Sequence, residues 1–500
     1  MNNTIYKRLL IYTFITFNII CGMSVFAIED KDAHTELFKT VEIKDGSNLN
    51  IIECVALAFH NSPKIKRKKY ALDIAKSNVG VAKSAFFPVI GAGVGFYNEN
   101  NSNNRVFSRH YMELPNIGVT INQLVWDFGK STANIKMEDF YKIGAEYEFI
   151  DSLCSTIFEV KRKYYDVLKA HANLVIAKDN VEICRKYLKM AKGSPDKATA
   201  SFHLGRALFE MNYAETLYKN AKVNLSNAMY IDNSINYNIS NTRTFDYKHD
   251  YGYENHLIPP RFIPHPLNVS RANAVDIAYA NSPDLRVLES TRDAMIQALK
   301  YIKKTYFPDL TANVGYVYDN SNEYSNNNLR VGVNLSSNVN LMELKHSIKG
   351  ADAHVKLADN EIKLFKKDLY FEVQEVFNNI EFAEKDVPYA QDTAIIAMEK
   401  LGTVEKMYNE GKLNYIALQD ARKDYITAME GYIISLNFYN TSLIDVEEAL
   451  HYHIFDIHHK TQHAITNHSE ELIEHLNEAL DCNEKELKKN KKHKKNKERL

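Results

Sequence analysis

The 500-residue chain sets 62 Lys and Arg against 63 Asp and Glu, so no net field draws it to nucleic acid or to an acidic substrate. With 45% hydrophobic and 25% charged residues it has the composition of an ordered protein, long enough for more than one domain. Beyond residue 30 no apolar run reaches the ~18 residues a spanning helix needs, so any membrane crossing must use strands.

Lys7 and Arg8 precede an apolar stretch from Leu9 to Ile20, and Val25 and Ala27 occupy the small-residue positions of a cleavage site. Residues 1–27 are therefore expected to be a signal peptide, followed by an N-terminal periplasmic segment over 28–47. Export leaves Cys54, Cys154, Cys184 and Cys482. Cys154 and Cys184 fall in one predicted helix, about 45 Å apart at ~1.5 Å per residue, and cannot pair within it. The thiols are expected to stay unpaired, three of them packed as small apolar groups.

The first repeat, 48–232, opens with "CVALAFHNSP" (Cys54 to Pro63) and a helical stretch carrying Ile65, Leu72, Ala75, Val79 and Ala82 on one face. It ends at Phe87-Pro88, because proline disfavours helix in the residue before it. Period two then takes over: Ile90, Ala92, Val94 and Phe96 alternate with Gly91, Gly93 and Gly95, and Ile117, Val119, Ile121 and Val125 with Gly118, Thr120, Asn122 and Leu124. An Asn-rich segment, Asn98 to Tyr111, joins these two predicted strands. From Ser131 to Lys192 no proline occurs and apolar residues recur at steps of three and four, predicting a helix of about 90 Å. "AKGSPDKATAS" (Ala191 to Ser201) is a turn into a returning helix.

Residues 233–268, with "IPPRFIPHP" near their end, read as an irregular linker. The second repeat, 269–452, restarts with "AVDIAYANSP" (Ala274 to Pro283) and reaches its own Phe307-Pro308, with Gly315 standing 220 residues after Gly95. Leu310, Ala312, Val314, Tyr316 and Tyr318 alternate with Thr311, Asn313 and Gly315, and Leu329, Val331, Val333 and Leu335 with Arg330, Gly332, Asn334 and Ser336, around a polar tip at Asp319 to Asn328. A second long helix follows, with a kink expected at Pro388, then the turn "YNEGKLNYIAL" (Tyr408 to Leu418) and another returning helix. The His- and Lys-rich tail, 453–500, is expected to be largely disordered.

Strands of about ten residues fit a tilted bilayer crossing, and aromatics at their ends fit an interfacial girdle. A bilayer tolerates no open sheet edge, and four strands are too few to close a barrel, so several copies must contribute strands to one. No phosphate loop, CxxC or HExxH occurs, and Ser, His and Asp are scattered without a supporting frame, so no catalytic residue, cofactor or metal ligand is assigned.

The doubled "ALAFHNSP" and "AYANSP" starts, the "FFP" and "YFP" strand beginnings, "QLVWDFGK" (Gln123 to Lys130) and "YNEGKLNYIALQDAR" (Tyr408 to Arg422) resemble the TolC-type outer-membrane efflux family over roughly residues 48–452. The resemblance implies an α+β membrane protein, internally duplicated. Long antiparallel coiled-coil helices would form an α-barrel, and four transmembrane β-strands per chain would join a homotrimeric 12-stranded β-barrel in outer-membrane lipid. Pro88 and Pro308 would be the helix-to-strand junctions. The helix-hairpin tips, Gly193 and Ser194 in the first repeat and Gly411, Lys412 and Leu413 in the second, would dock a periplasmic adaptor (membrane fusion) protein linked to an inner-membrane RND or ABC transporter. In the family two aspartates follow the second-tip glycine by six and nine residues and ring the periplasmic gate; here those positions are Ala417 and Asp420. Three Asp420 side chains around a threefold axis would repel one another when shut and attract cations. The first tip departs further, with Gly193 followed by Ser194 and Pro195, and "LMELK" (Leu341 to Lys345) is a poor counterpart of "FGK". Besides an exit duct for small molecules or unfolded protein, two readings stay open: a periplasmic coiled-coil tether, which leaves the period-two segments without a purpose, and a porin or adhesin, which leaves the long helices without one.

Overall fold

The computed structural model describes residues 46–97, 114–191, 193–232, 235–239, 257, 259, 262, 264, 269–321 and 324–451. The expected signal peptide, nearly all of the N-terminal segment, the first strand-hairpin tip and the tail lie outside the described residues, as does most of the linker.

The duplicated architecture is present across the described residues. A two-residue strand β1 (Asn48–Leu49) pairs in parallel with β4 (Asn238–Ile239). In the first half α1 (Ile51–Asn61) and α2 (Pro63–Lys83) lead through a 3-10 turn (Ser84–Phe86) to β2 (Val89–Tyr97) and β3 (Leu114–Trp126), then α3 (Lys130–Met190) and α4 (Ser194–Met229). In the second, α5 (Arg271–Asn281) and α6 (Pro283–Lys304) precede β5 (Asp309–Ser321) and β6 (Tyr324–Ser336), then α7 (Leu341–Asn409) and α8 (Tyr415–Leu450). At 61 and 69 residues, α3 and α7 run about 90 and 100 Å. Pro388 lies inside α7, which continues through it as one helix.

The Asn-Ser-Pro frame is a helix break with three jobs. Ser62 and Ser282 end one helix and cap the next, each accepting a hydrogen bond from the backbone N–H three residues on (Ile65, Leu285), with the proline at the first helical position. The asparagine ties in the returning helix: Asn61 Nδ2 donates to the carbonyl of Met229, the last residue of α4, and Asn281 Nδ2 to that of Leu450, the last of α8. Both returning helices then end on a left-handed residue, Tyr230 or His451. Sequence periodicity marked one helix where there are two.

The helices do not run on to Pro88 and Pro308 but stop at Lys83 and Lys304. Extended backbone at Phe87, which proline imposes on the residue before it, begins the conversion to strand.

β2, β3, β5 and β6 form one antiparallel sheet in that order, so the two hairpins join through β3 and β5. In the second hairpin strand pairing continues to Ser321 and Tyr324, so the segment expected as a loop from Asp319 to Asn328 is mostly ladder. Polar residues extend a ladder readily where the strands leave the apolar layer.

α3 packs on α2, α4, α6 and α8, and α7 on α8, α6 and α5, so the core lies along the helix stack rather than in the sheet. Its largest buried side chains include Phe158, Tyr164 and Tyr187 of α3 and Tyr425, Tyr432 and Tyr439 of α8. Cys54 and Cys184 are buried within it and Cys154 half-buried, and all three are free thiols. Burial pushes the Cys54 and Cys154 thiols up to about 12, which leaves them unreactive.

The first strand-to-helix junction is built across the halves. Asp127 accepts from the N–H groups of Gly129 at 2.8 Å and Ser131 at 2.5 Å. Burial raises its carboxyl, but hydrogen bonds from Ser131 and Gly129 and the charge of Lys130 outweigh that and hold it below the usual range. Lys130 reaches the second half at Asp309 (2.6 Å) and the Phe307 carbonyl (3.0 Å), while Lys304 of the second half donates to the Gly129 carbonyl at 3.2 Å. Gly129 has φ +83°, and a Cβ there would lie 2.6 Å from Lys304 Nζ. Gly129→Ala is expected to cost about 1–2 kcal/mol, read as a lower denaturation midpoint, from left-handed strain plus the displaced lysine. The second junction has no such device: Asn340 simply caps α7 through the N–H groups of Met342 and Glu343.

Candidate functional site

Two regions carry the candidate site: the sheet, and the opposite ends of the long helices. In the sheet the register aligns Ile90, Ile121, Val314 and Val331 in one row across all four strands and Ala92, Val119, Tyr316 and Leu329 in the next. Among the described residues nothing covers this face, with Ile90, Leu329, Val331 and Val333 between 68% and 73% exposed. The reverse face holds Gly91, Thr120, Gly315 and Arg330 in one row and Val89, Asn122, Asn313 and Gly332 in another. A bulge between Leu124 and Trp126 turns Trp126 onto the apolar face beside Leu310. At this end of the sheet the exposed rings cluster: Phe128 stacks on Phe307 at 5.1 Å, Trp126 meets Phe128 edge-on at 6.1 Å and Tyr306 meets Phe307 at 5.8 Å. A large uncovered apolar face bordered by aromatics has the chemistry of a lipid-facing band. Pro88 and Pro308 stand immediately before β2 and β5, at the level of these rings.

The tips at the far end of the helices are adjacent, since Lys189, Met190 and Ala191 of the first and Tyr408 and Asn409 of the second line one cavity of about 300 Å³. At the second tip Gly411, with φ +74°, allows the chain to reverse: its N–H bonds the Tyr408 carbonyl and that of Lys412 the Met407 carbonyl, satisfying the end of α7. Lys412 also pairs with Glu410 at 2.6 Å, Leu413 is half-buried, and Asn414 caps α8 through Ala417 N–H. The first tip is tighter. Gly193 is extended and Ser194 begins α4, with Pro195 in its first turn.

Asp420 is exposed in the second turn of α8 and lines a cleft of about 310 Å³ between α3, α4 and α8, with Arg206, Arg422 and Lys423 among its neighbours. Arg422, two residues on, is buried: it bonds Asn180 of α3, contacts Cys184 Sγ at 3.3 Å and donates to Gln419 at 2.9 Å. Nearer the tips, Glu405 of α7 accepts from Tyr187 Oη at 2.6 Å and Lys186 Nζ at 3.2 Å. Burial, together with Glu405, raises the Tyr187 hydroxyl, so it stays a donor. These ties between halves escaped the sequence reading. Their one visible signal was a charged residue on an otherwise apolar helical stripe, as Glu405 falls four after Leu401.

At the other end of α8 the walls are acidic. Burial, then Asp284, raises the Asp151 carboxyl to about 6, with Glu448 and Glu148 adding to the effect and Lys68 opposing it. A carboxylate whose folded pKa exceeds its unfolded value takes up a proton on folding, so its contribution to stability falls as pH rises from about 4 through 6. Asp151→Asn is expected to raise the unfolding midpoint at pH 7.5 and to have no effect at pH 4, measurable by denaturant titration at the two pH values.

No curated protein matches the chain by sequence. Solved structures with the same fold include the CmeC outer membrane channel of Campylobacter jejuni (14% identity over 83% of this chain and 89% of that one, TM-score 0.68). The outer membrane protein VceC of Vibrio cholerae (12%, 80% and 95%, TM-score 0.66) and the open state of the MtrE outer membrane channel of Neisseria gonorrhoeae (12%, 80% and 89%, TM-score 0.65) are others. The family model for outer membrane efflux proteins matches residues 55–194 and 274–450, one stretch in each repeat. With its uncovered apolar sheet, its long helices and this doubled match, the chain belongs to the outer membrane efflux protein family and sits in the outer membrane with a helical extension into the periplasm.

Proposed function

We propose that the protein is the exit duct of a tripartite efflux or type I secretion system, passing small molecules or unfolded protein from an inner-membrane pump across the periplasm and outer membrane. The observation that carries this is the sheet: β2 and β6 are both edge strands, and the face they share is apolar and uncovered. Open edges are not tolerated in a bilayer, so β6 of one copy pairs with β2 of the next. Three copies give twelve strands around a lumen lined by the Gly-, Asn- and Thr-rich face, and α3 and α7 continue the tube as an α-barrel. The tips at Gly193–Ser194 and Gly411–Lys412–Leu413 then face the inner membrane, where a periplasmic adaptor bound to an RND or ABC transporter docks, and Asp420 of each copy lines the gate.

Detergent-extracted outer membranes are expected to yield a trimer that dissociates on heating and conducts ions in a planar bilayer. A mature protein that is monomeric and water-soluble without detergent overturns the duct.

A further inference from the structure

On the described side chains of the four strands only two charges occur, Asp309 and Arg330. Asp309 stands at the aromatic end and pairs with Lys130. Arg330 stands five residues from Leu335 along β6, which at ~3.4 Å per residue and a ~40° tilt puts it about 13 Å into an apolar band ~25 Å tall. An arginine at that depth on the lipid face costs about 2–4 kcal/mol. The register avoids this: Leu329 and Val331 lie on the apolar face, and Arg330 lies on the other, opposite Gly315.

On that reverse face two of the glycines sit against polar neighbours. A Cβ at Gly91 would fall 2.9 Å from Thr120 Oγ1, and one at Gly332 2.8 Å from Asn313 Oδ1. Around Arg330 the same face presents Asn328 and Gly332 along β6 and Asn313, Gly315 and Val317 across on β5, none of them charged. The position carries a charge in one repeat only. Gly95, which corresponds to Gly315, pairs with Asn116, so the matching place in the first hairpin is neutral.

Resting on the duct reading, we propose that Arg330 is the charge filter of the barrel: one per copy, three around the lumen at mid-depth, favouring anionic solutes bearing carboxylate or phosphate groups and opposing cations. The guanidinium is always charged and offers a fork of donors to such groups, and the other described charge on that face, Asp309, is paired with Lys130 at the aromatic end of the sheet.

The test is the reversal potential of the purified wild-type channel in a planar bilayer under a KCl gradient centred near 0.1 M, where the screening length is ~10 Å. Arg330→Gln is expected to raise the K⁺/Cl⁻ permeability ratio about two-fold and Arg330→Glu further, with Arg330→Lys at the wild-type value and all differences collapsing near 1 M salt, where screening shortens to ~3 Å. Conducting trimers with the same ratio in all four proteins overturn the filter and leave the duct standing. A wild-type protein that passes no current overturns the duct and the filter with it.

Discussion

Replacing Lys161 by Met is expected to cost about 3–5 kcal/mol of stability, the largest loss from any single substitution proposed for this chain. Lys161 of α3 and Glu447 of α8 meet at 2.5 Å with side chains 1% and 0% exposed, joining the long helix of one repeat to the returning helix of the other. Taking either ion out of water is expensive, and its partner's charge returns most of that cost; the substitution keeps the expense on Glu447 and removes this cation. Arg162 beside it, pairing with Asp445 and Glu448 at about one-third exposure, is screened by solvent and cannot substitute. The double variant Lys161→Met/Glu447→Leu removes both desolvation costs and is expected to recover most of the loss. Guanidinium titrations of the extracted protein compare the three. A single variant within about 1 kcal/mol of wild type would mean that water reaches the pair.

Asp420→Ala is expected to have the largest effect on transport, raising conductance several-fold and shifting selectivity away from cations. If three carboxylates converge where the duct is narrowest, they hold cations that later ions must displace, and their bulk narrows the passage further. Alanine removes both obstacles. The exposed position of Asp420, beyond the reversal made by Gly411, leaves its carboxylate available for this role, whereas Arg422 two residues on is committed to α3. Single-channel recording with the same KCl gradient decides it. Asp420→Ala and Arg330→Gln should move the permeability ratio in opposite directions and combine additively, because one site is near the helix tips and the other within the sheet.

Much of the fold was legible because it rests on periodicity. Alternation of Ile90, Ala92 and Val94 with glycines fixes which strand faces are apolar whatever pairs with them, and the three-four spacing from Phe140 to Val181 fixes α3 as one continuous helix. The Asn-Ser-Pro frame was visible as a repeat, but its work was not. Asn61 finds Met229 and Asn281 finds Leu450 across 168 and 169 residues, contacts that no local pattern encodes. The helix end is hidden for a similar reason: Phe-Pro marks where helix is forbidden, whereas α2 stops earlier, at Lys83.

By itself the sequence determined the duplication, the strands and their two faces, the long paired helices, and hence a subunit with too few strands to close a barrel; these follow from residue spacing and backbone sterics. Only the tertiary structure decided that β3 pairs with β5 to merge the hairpins, that Lys130 and Lys304 lock the first strand-to-helix junction to the start of β5, that Glu405 and Glu447 find their partners on α3, and that Arg330 shares a row with Gly315. A stripe or an alternation says which face of an element is buried or lipid-facing. Which element meets that face depends on packing between segments far apart in the chain, and that is settled only when the whole chain has folded.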